Sequence, residues 1–164
     1  MAVRARGQSA DVIDAADLPE RFSLDIYAAA ILAASVHAGH HEKEMVAFVR
    51  QNKEALQQMP TVFLSVSLSE AGVEDQQALP EQRAKAAADV EGMIAAFLEE
   101  TGWHPSTIQA VAGALLYTKY NFLVRLVMRR IAKASGGWTD TSQDHEYTNW
   151  TMLDRLAEEL VANL

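Results

Sequence analysis

The stretch Tyr27-Ala-Ala-Ala-Ile-Leu-Ala-Ala-Ser-Val-His-Ala-Gly-His-His41 decides the fold class of this chain. Its first half is an unbroken apolar run, which is typical of a strand covered on both faces in a parallel sheet. A segment with helical apolar spacing, Glu42–Val49, follows directly. Ligands of open parallel sheets bind just beyond the carboxyl ends of the strands. The loop Ser35–His41 is therefore the first candidate site.

The rest of the chain alternates in the same way between apolar runs and segments with helical periodicity. Strands alternating with helices predict an α/β fold with a doubly wound parallel sheet, built as one domain over residues 1–164. The first two predicted strands have no helix between them, which fits a doubly wound sheet of order 2-1-3-4-5 with strand 1 missing from this chain. The predicted strands are Ala10–Asp14, about Asp25–Ala34, Thr61–Leu68 and Thr107–Leu116, and the predicted helices are about His41–Gln57, Pro80–Thr101, Asn121–Ala134 and Asn149–Ala162.

Loops and helix ends are predicted from local chemistry. Pro80 suits the first turn of a helix and Gly102 suits its end. Ser69–Leu79 and Trp138–Tyr147 are polar and read as loops. Thr148 or Asn149 is expected to cap the last helix.

Composition excludes several classes of protein. The chain has 164 residues, 49% of them hydrophobic and 22% charged, which suits one globular domain with a full core. The absence of cysteine excludes disulfide scaffolds and thiolate sites, and the net charge of −8 argues against nucleic-acid binding. The longest apolar run is too short for a membrane span and the first residues do not resemble a signal peptide, so we expect a cytoplasmic protein.

Five short blocks, in order, resemble the flavodoxin-like, FMN-dependent protoporphyrinogen IX dehydrogenases of haem biosynthesis. Each block is weakly specific alone, but together they cover nearly the whole chain from Ala10 onward. The blocks are Ala34-Ser-Val-His-Ala-Gly-His40, Pro60-Thr-Val-Phe-Leu-Ser-Val-Ser-Leu68, Ala112-Gly-Ala-Leu-Leu-Tyr-Thr-Lys-Tyr120, Ser135-Gly-Gly-Trp-Thr-Asp-Thr141 and Tyr147-Thr-Asn-Trp150.

The resemblance implies a flavoprotein oxidoreductase that oxidises protoporphyrinogen IX and passes electrons through FMN to a respiratory quinone at the inner face of the membrane. It implies that loops at the strand ends contact the cofactor, and it identifies no catalytic side chain. The implied cofactor contacts are Ser35, Val36, His37, Ala38, Gly39, Ser65, Val66, Ser67, Leu68, Ala112, Gly113, Ala114, Leu115 and Tyr117.

The sequence departs from the family pattern at several positions. The family often has glycine at Ala33, arginine at His37, tyrosine at Ala38 and arginine at Leu116, so two cationic groups that suit porphyrin carboxylates are replaced here. A flavodoxin also begins with a strand and a Ser/Thr-Gly-rich loop that holds the FMN phosphate. No such loop precedes Val3, and we expect either that Met1 is a misplaced start or that the chain is a truncated remnant. In both cases we expect the chain as given to be poorly stable.

Taken alone, several candidate residues have simpler interpretations. Ser35 could cap an ordinary strand-to-helix turn. His37, His40 and His41, near Glu42, contain metal-ligand types, but two adjacent histidines on a helix point apart, so we expect no metal site. His41 is then expected at a solvated helix start and His37 in contact with the flavin.

The predicted helix Asn121–Ala134 carries a basic arc that includes two large apolar residues. Such an arc suits an anionic membrane surface, although a solvated face is an equally good interpretation. Trp138 suits either the membrane interface or simple packing. The arc consists of Lys119, Phe122, Arg125, Leu126, Arg129, Arg130 and Lys133, and no acidic residue lies within 119–138.

Two other functions fit the sequence. One is a flavodoxin-like remnant or interaction domain that does not bind FMN. The other is a flavodoxin-type electron carrier or quinone reductase, for which the acidic net charge is suitable but the basic helix is not.

Overall fold

The computed structural model describes residues 7–115, 142 and 144–164. A single 3-10 turn, Leu24–Ile26, precedes the first strand. The strands are β1 (Ala30–His37), β2 (His40–His41), β3 (Thr61–Ser67), β4 (Thr107–Ala112), β5 (Ala114–Leu115) and β6 (His145–Glu146), and the helices are α1 (Lys43–Gln57), α2 (Leu68–Glu74), α3 (Pro80–Thr101) and α4 (Trp150–Ala162).

A parallel sheet forms the centre of the described chain. Its strands lie in the order β2-β1-β3-β4, and β1, β3 and β4 are mutually parallel. The two-residue strand β2 runs antiparallel to the end of β1, and β5 pairs with β6 in a separate antiparallel ribbon. This parallel-dominated α/β arrangement confirms the predicted fold class.

The main core lies between the sheet and helices α1 and α3. Leu32 of β1 and Phe63 of β3 are buried there, together with Val49 of α1 and Phe97 of α3. The rings of Phe63 and Phe97 stack at 4.4 Å between centroids, and Trp103 meets Phe63 edge-on at 5.9 Å. Burying each such aromatic side chain stabilises the fold by about 1.5–3 kcal/mol.

Local chemistry sets the ends of the long helix α3. Pro80 occupies the first turn, where its missing N–H costs nothing, and the Gln82 side chain accepts a hydrogen bond from the Leu79 N–H at 3.1 Å. Gly102 ends the helix in the left-handed conformation, with φ of 62°. Asn149 caps helix α4 as expected, because its Oδ1 accepts from the Met152 N–H at 3.0 Å.

The prediction of a strand at Ala10–Asp14 is wrong. These residues form no strand, and Val12 is fully exposed. The parallel part of the described sheet consists of β1, β3 and β4, which lie side by side in chain order. A side-chain contact holds the segment, because the Tyr27 hydroxyl donates to the Asp11 carboxylate at 3.0 Å. The apolar residues of this segment were too few to indicate a paired strand.

Three further boundaries differ from the predictions. The strand predicted from Asp25 begins at Ala30, because the Ser23 hydroxyl accepts from the Asp25 N–H and starts a 3-10 turn. The predicted loop Ser69–Leu79 contains helix α2, capped by Ser67. The strand predicted over Thr107–Leu116 is interrupted at Gly113.

Other predictions fall outside the described residues. They concern the helix Asn121–Ala134, Trp138 and the segment before Gly7. Within the ranges that the structure covers, no helix is both long enough and apolar enough to cross a membrane.

Candidate functional site

The candidate site lies at one edge of the sheet, where β1, β3 and β4 end. Ser35 of β1 is opposite Val66 of β3, and Ser67 of β3 is opposite Ala112 of β4. Because the three strands are parallel and in register, their carboxyl ends meet at the same edge, which we call the rim. The predicted segments Ser35–Gly39, Ser65–Leu68 and Ala112–Leu115 are thus neighbours at the rim.

The first rim segment is a β-hairpin. Val36 pairs with His41 and His37 with His40 across a two-residue turn. Ala38 and Gly39 at the turn have φ of 51° and 85°, the backbone signature of a type I′ turn. The sequence predicted a strand-to-helix turn here, but β1 continues through His37 before the chain reverses.

Glu42 anchors the base of this hairpin. Its carboxylate accepts from the Ser35 N–H at 3.3 Å and lies 3.4 Å from Nε2 of His37, while its own N–H donates to the Ser35 carbonyl at 3.2 Å. The His37 side chain is 73% exposed, so the ionic part of this contact contributes little to stability. Glu42 mainly fixes the direction in which the hairpin leaves the sheet.

His41 is buried, which contradicts its expected place at a solvated helix start. It lies in β2, where alternate side chains face opposite sides, and only 8% of its surface is exposed. Its Nε2 is 2.9 Å from Oγ of the fully buried Ser65. Burial lowers the pKa of His41, opposed by the nearby Glu42 carboxylate.

The second rim segment joins β3 to helix α2. Ser67 is the last residue of β3 and its hydroxyl accepts from the Glu70 N–H at 3.4 Å. Burial raises the pKa of Glu70, and repulsion from Glu74 adds to this effect. Leu68 is the first residue of α2 and is half-buried.

The third rim segment makes the closest approach to β3. A Cβ added at Gly113 would lie 2.9 Å from Cγ1 of Val66, so only glycine fits at this position without a shift. On its other side, the Ala112 carbonyl accepts from the Thr148 hydroxyl at 2.9 Å and the Gly113 carbonyl accepts from the Tyr147 N–H at 3.2 Å. The C-terminal segment therefore holds the third rim segment in place.

The predicted cofactor contacts at the rim include residues within β3 and a set of small residues. Ser65, Val66 and Ser67 lie within β3, where Ser65 and Ser67 are buried. The small residues of the rim are Ala38, Gly39, Ala112, Gly113 and Ala114. Tyr117, Leu116 and the basic arc from Lys119 to Lys133 lie outside the described residues.

The rim suits a flat, largely uncharged ligand. Its segments offer small side chains and backbone groups, and an added Cβ at Gly39 would meet no atom within 4 Å. No group of three metal-ligating side chains occurs in residues 7–115, 142 and 144–164. A shallow depression of about 480 Å³ lies along residues 50–55 of α1, toward the opposite end of the strands, and has no evident link to the rim.

Glu42 and Thr148 escaped the sequence analysis as parts of the site, and so did the contact between His41 and Ser65. Glu42 was considered only as a metal ligand, Thr148 only as a helix cap, and the His41–Ser65 pair joins residues 24 positions apart. No local pattern marks such contacts, since they depend on how the strands align.

Comparison with known proteins assigns the chain to a family. The family model described as "Flavodoxin domain" matches residues 1–142. The protein named protoporphyrinogen IX dehydrogenase [quinone] of Leishmania major is 31% identical over 152 residues, which are 93% of this chain and 61% of that protein. The Escherichia coli K12 protein of the same name is 31% identical over 134 residues, which are 82% of this chain and 68% of that protein.

No solved structure matches the chain significantly. The chain spans about three-fifths of the length of the Leishmania major relative. It belongs to the flavodoxin domain family, and within that family it is related to the quinone-dependent protoporphyrinogen IX dehydrogenases. A flavin is the cofactor that this domain implies, and the small side chains of the rim leave space for its ring.

Proposed function

We propose that this member of the flavodoxin domain family is an FMN-dependent oxidoreductase that oxidises protoporphyrinogen IX to protoporphyrin IX, with a quinone as electron acceptor. The observation that supports this most strongly is the common rim formed by the in-register ends of β1, β3 and β4. The names of the Leishmania major and Escherichia coli relatives support the substrate and the acceptor. We also propose that residues 1–164 form one domain.

Backbone groups of the three rim segments would hold the flavin ring. The hairpin turn at Ala38 and Gly39 would cover one side of the ring, and the segment from Ala112 to Ala114 would line another. Val66 and Leu68, at the end of β3 and the start of α2, would supply apolar contact. Of the contacts implied by the sequence, Tyr117 lies outside the described residues.

A bound flavin would supply the redox chemistry. The residues of this chain would place the ring, exclude water and set its electrostatic surroundings. His37 has an exposed imidazole at the hairpin, held by Glu42, and it would contact the flavin.

Cofactor binding is tested with the purified chain of 164 residues. FMN, riboflavin and FAD are each titrated in equilibrium dialysis, and bound flavin is measured by absorbance. We expect FMN to bind and the bound flavin to show quenched fluorescence. Absence of binding by all three flavins would contradict the proposed function and favour the interaction-domain alternative.

The substrate is tested by following porphyrin fluorescence as protoporphyrinogen IX is oxidised, with and without a soluble quinone. The His37→Arg variant restores the residue often found in the family, so we expect it to lower KM. The exposed His104→Gln variant is the matched control and should leave KM unchanged. Flavin reduction without porphyrin formation would instead support the electron-carrier alternative.

We further propose peripheral contact with the inner face of the cell membrane through the basic arc. Its residues lie outside those that the structure describes, so the proposal depends on sequence. Co-sedimentation with vesicles containing anionic lipid should decrease as salt increases. Binding that is insensitive to both lipid charge and salt would exclude it.

A further inference from the structure

The outer edge of β1, on the side away from β3, is open over part of its length. The Ala30 N–H donates toward β3, to the carbonyl that precedes that strand, at 3.1 Å, and the Ser35 carbonyl accepts from the Glu42 N–H on the other side at 3.2 Å. Backbone groups of successive residues in a strand point to opposite sides. The N–H and carbonyl groups of Ile31 and Ala33 therefore point outward, as those of Ser35 do.

These four outward groups have no hydrogen-bond partner among the described residues. Strand β2 covers the same edge only beside Val36 and His37. The Ile31 side chain is 42% exposed, and Ala33 is exposed as well. Proteins usually protect such edges with lysine, proline or a bulge, but Ala30–Ala34 contains no charged residue and no proline. The edge is therefore ready to accept another strand.

Exposed apolar side chains lie near the amino end of the same strand. Ile26, in the 3-10 turn before β1, is 78% exposed. The fully exposed Val12 is near this turn, because its neighbour Asp11 accepts a hydrogen bond from the Tyr27 hydroxyl at 3.0 Å. Together with Ile31, these side chains form an apolar surface beside the open edge, as is common where another protein binds.

The two ends of β1 carry complementary polar groups. Asp11 and Asp25 are exposed near the amino end, and His37 and His40 are exposed at the carboxyl end. Antiparallel association of two identical strands places the amino end of one beside the carboxyl end of the other. Carboxylate acceptors of each copy would then lie near imidazole donors of its partner.

We propose that the outer edge of β1 binds the same edge of a second copy of this chain in antiparallel pairing, with Leu32 on the two-fold axis. Ile31 of one copy then pairs with Ala33 of the other, and the open groups of the two copies form four hydrogen bonds. Self-pairing is favoured because an uncharged strand brings no like charges together across the axis. The inference does not depend on the proposed function.

Sedimentation velocity of the whole chain over a range of concentrations tests the proposal. The pairing covers a small surface, so we expect a reversible dimer with a dissociation constant of about 10–100 µM. Ile31→Lys puts like charges beside the axis and should weaken the dimer at least about tenfold. Thr107→Lys is the matched control, because it adds the same charge at an exposed position of β4.

A second variant removes one backbone donor. Ala33→Pro deletes an N–H that faces outward, a position where an edge strand tolerates proline, and it should also weaken the dimer at least about tenfold. The comparison of Ile31→Lys with Thr107→Lys decides the question even where Ala33→Pro does not fold. Retention of the parent affinity by Ile31→Lys would overturn the inference, as would a parent chain that stays monomeric up to about 1 mM.

Amide hydrogen exchange identifies the edge directly. The amides of Ile31 and Ala33 should exchange rapidly in the dilute monomer and slowly in the dimer, whereas those of Leu32 and Ala34, which face β3, should be protected in both. Protection of the outward amides in the monomer would mean that the chain itself covers this edge. A dimer in which they still exchange rapidly would use another surface, and either result would overturn the inference.

Discussion

Nε2 of His41 lies 2.9 Å from Oγ of Ser65, and both side chains are buried between the sheet and helix α3. The imidazole is also enclosed by the rings of Phe97 and Phe63, with centroids 4.9 and 5.4 Å away. His41 belongs to β2, the returning strand of the rim hairpin, and Ser65 belongs to β3. The contact therefore fastens the hairpin to the centre of the sheet.

The stability of the chain should depend on pH through His41. Burial lowers the pKa of His41 below its ordinary value of 6.5, despite the opposing Glu42 carboxylate. Below that pH the unfolded state binds more protons than the folded state, so stability falls as the pH falls. The contribution of His41 is complete above about pH 6.5 and is lost between 6.5 and its lower folded-state value. Urea unfolding from pH 8 to pH 5 measures this loss.

The variant His41→Gln removes this titration. Its unfolding free energy should vary less with pH across the same interval, whereas the exposed His104→Gln variant should behave like the parent chain. An identical pH profile in the parent chain and His41→Gln would show that His41 is not the responsible group.

Replacing Ser65 by alanine should destabilise the fold. The substitution leaves Nε2 of the buried His41 without its partner, which costs about 1–3 kcal/mol. The matched control is Ser9→Ala, at an exposed serine. Thermal unfolding of both variants measures the difference, and equal melting temperatures would mean that the hydrogen bond has no net effect.

Replacing Gly113 by alanine should disturb the third rim segment. The new Cβ would lie 2.9 Å from Cγ1 of Val66, and a β-branched valine cannot easily rotate away. We expect a loss of about 1–3 kcal/mol, as for other overpacked sites. The second substitution Val66→Ala should recover part of this loss.

Gly92→Ala is the matched control for that experiment. Gly92 lies in helix α3, where an added Cβ meets no atom within 4 Å. Alanine should stabilise the helix by about 0.5–1 kcal/mol, because it restricts the unfolded chain. If both glycine variants changed stability in the same direction, the contact with Val66 would not be the cause.

Asparagine at position 38 should stabilise the hairpin turn. Ala38 has φ of 51°, where a Cβ is crowded, whereas asparagine tolerates this conformation and is favoured in type I′ turns. Ala38→Asn should raise the unfolding free energy by roughly 0.5–1 kcal/mol. Gly39→Ala, at φ of 85°, should lower it, and urea titration measures both changes.

Helix limits were well predicted from the sequence where a single residue fixes them. Pro80 and Gly102 bound α3, and Asn149 caps α4, because restricted φ, left-handed φ and side-chain capping act within one turn. The apolar runs that became β1 and β3 were also recognised as strands. Burial on both faces holds for most of β3, whereas Ile31 and Ala33 of β1 are exposed, so one face of β1 is covered only in part.

The wrong predictions concern segments whose structure depends on residues far away in the chain. Ala10–Asp14 was predicted to be a short strand, but a strand forms only where a neighbouring edge accepts it. The segment after Ser69 was polar enough for a loop, yet it folds as α2 and packs on α3. The exposed helix position expected for His41 became a buried strand position, because β1 extends two residues past Ser35 before reversing.

Sequence alone determined the alternation of strands and helices, the acidic and cysteine-free character, and the family blocks around Ser35, Ser65 and Ala112. These properties depend on composition and on residues close together in the chain. Only the tertiary structure decided that Glu42, His41 and Thr148 support the rim. Their partners lie on other strands or across a turn, and the register of a sheet, not the local sequence, brings such groups within hydrogen-bonding distance.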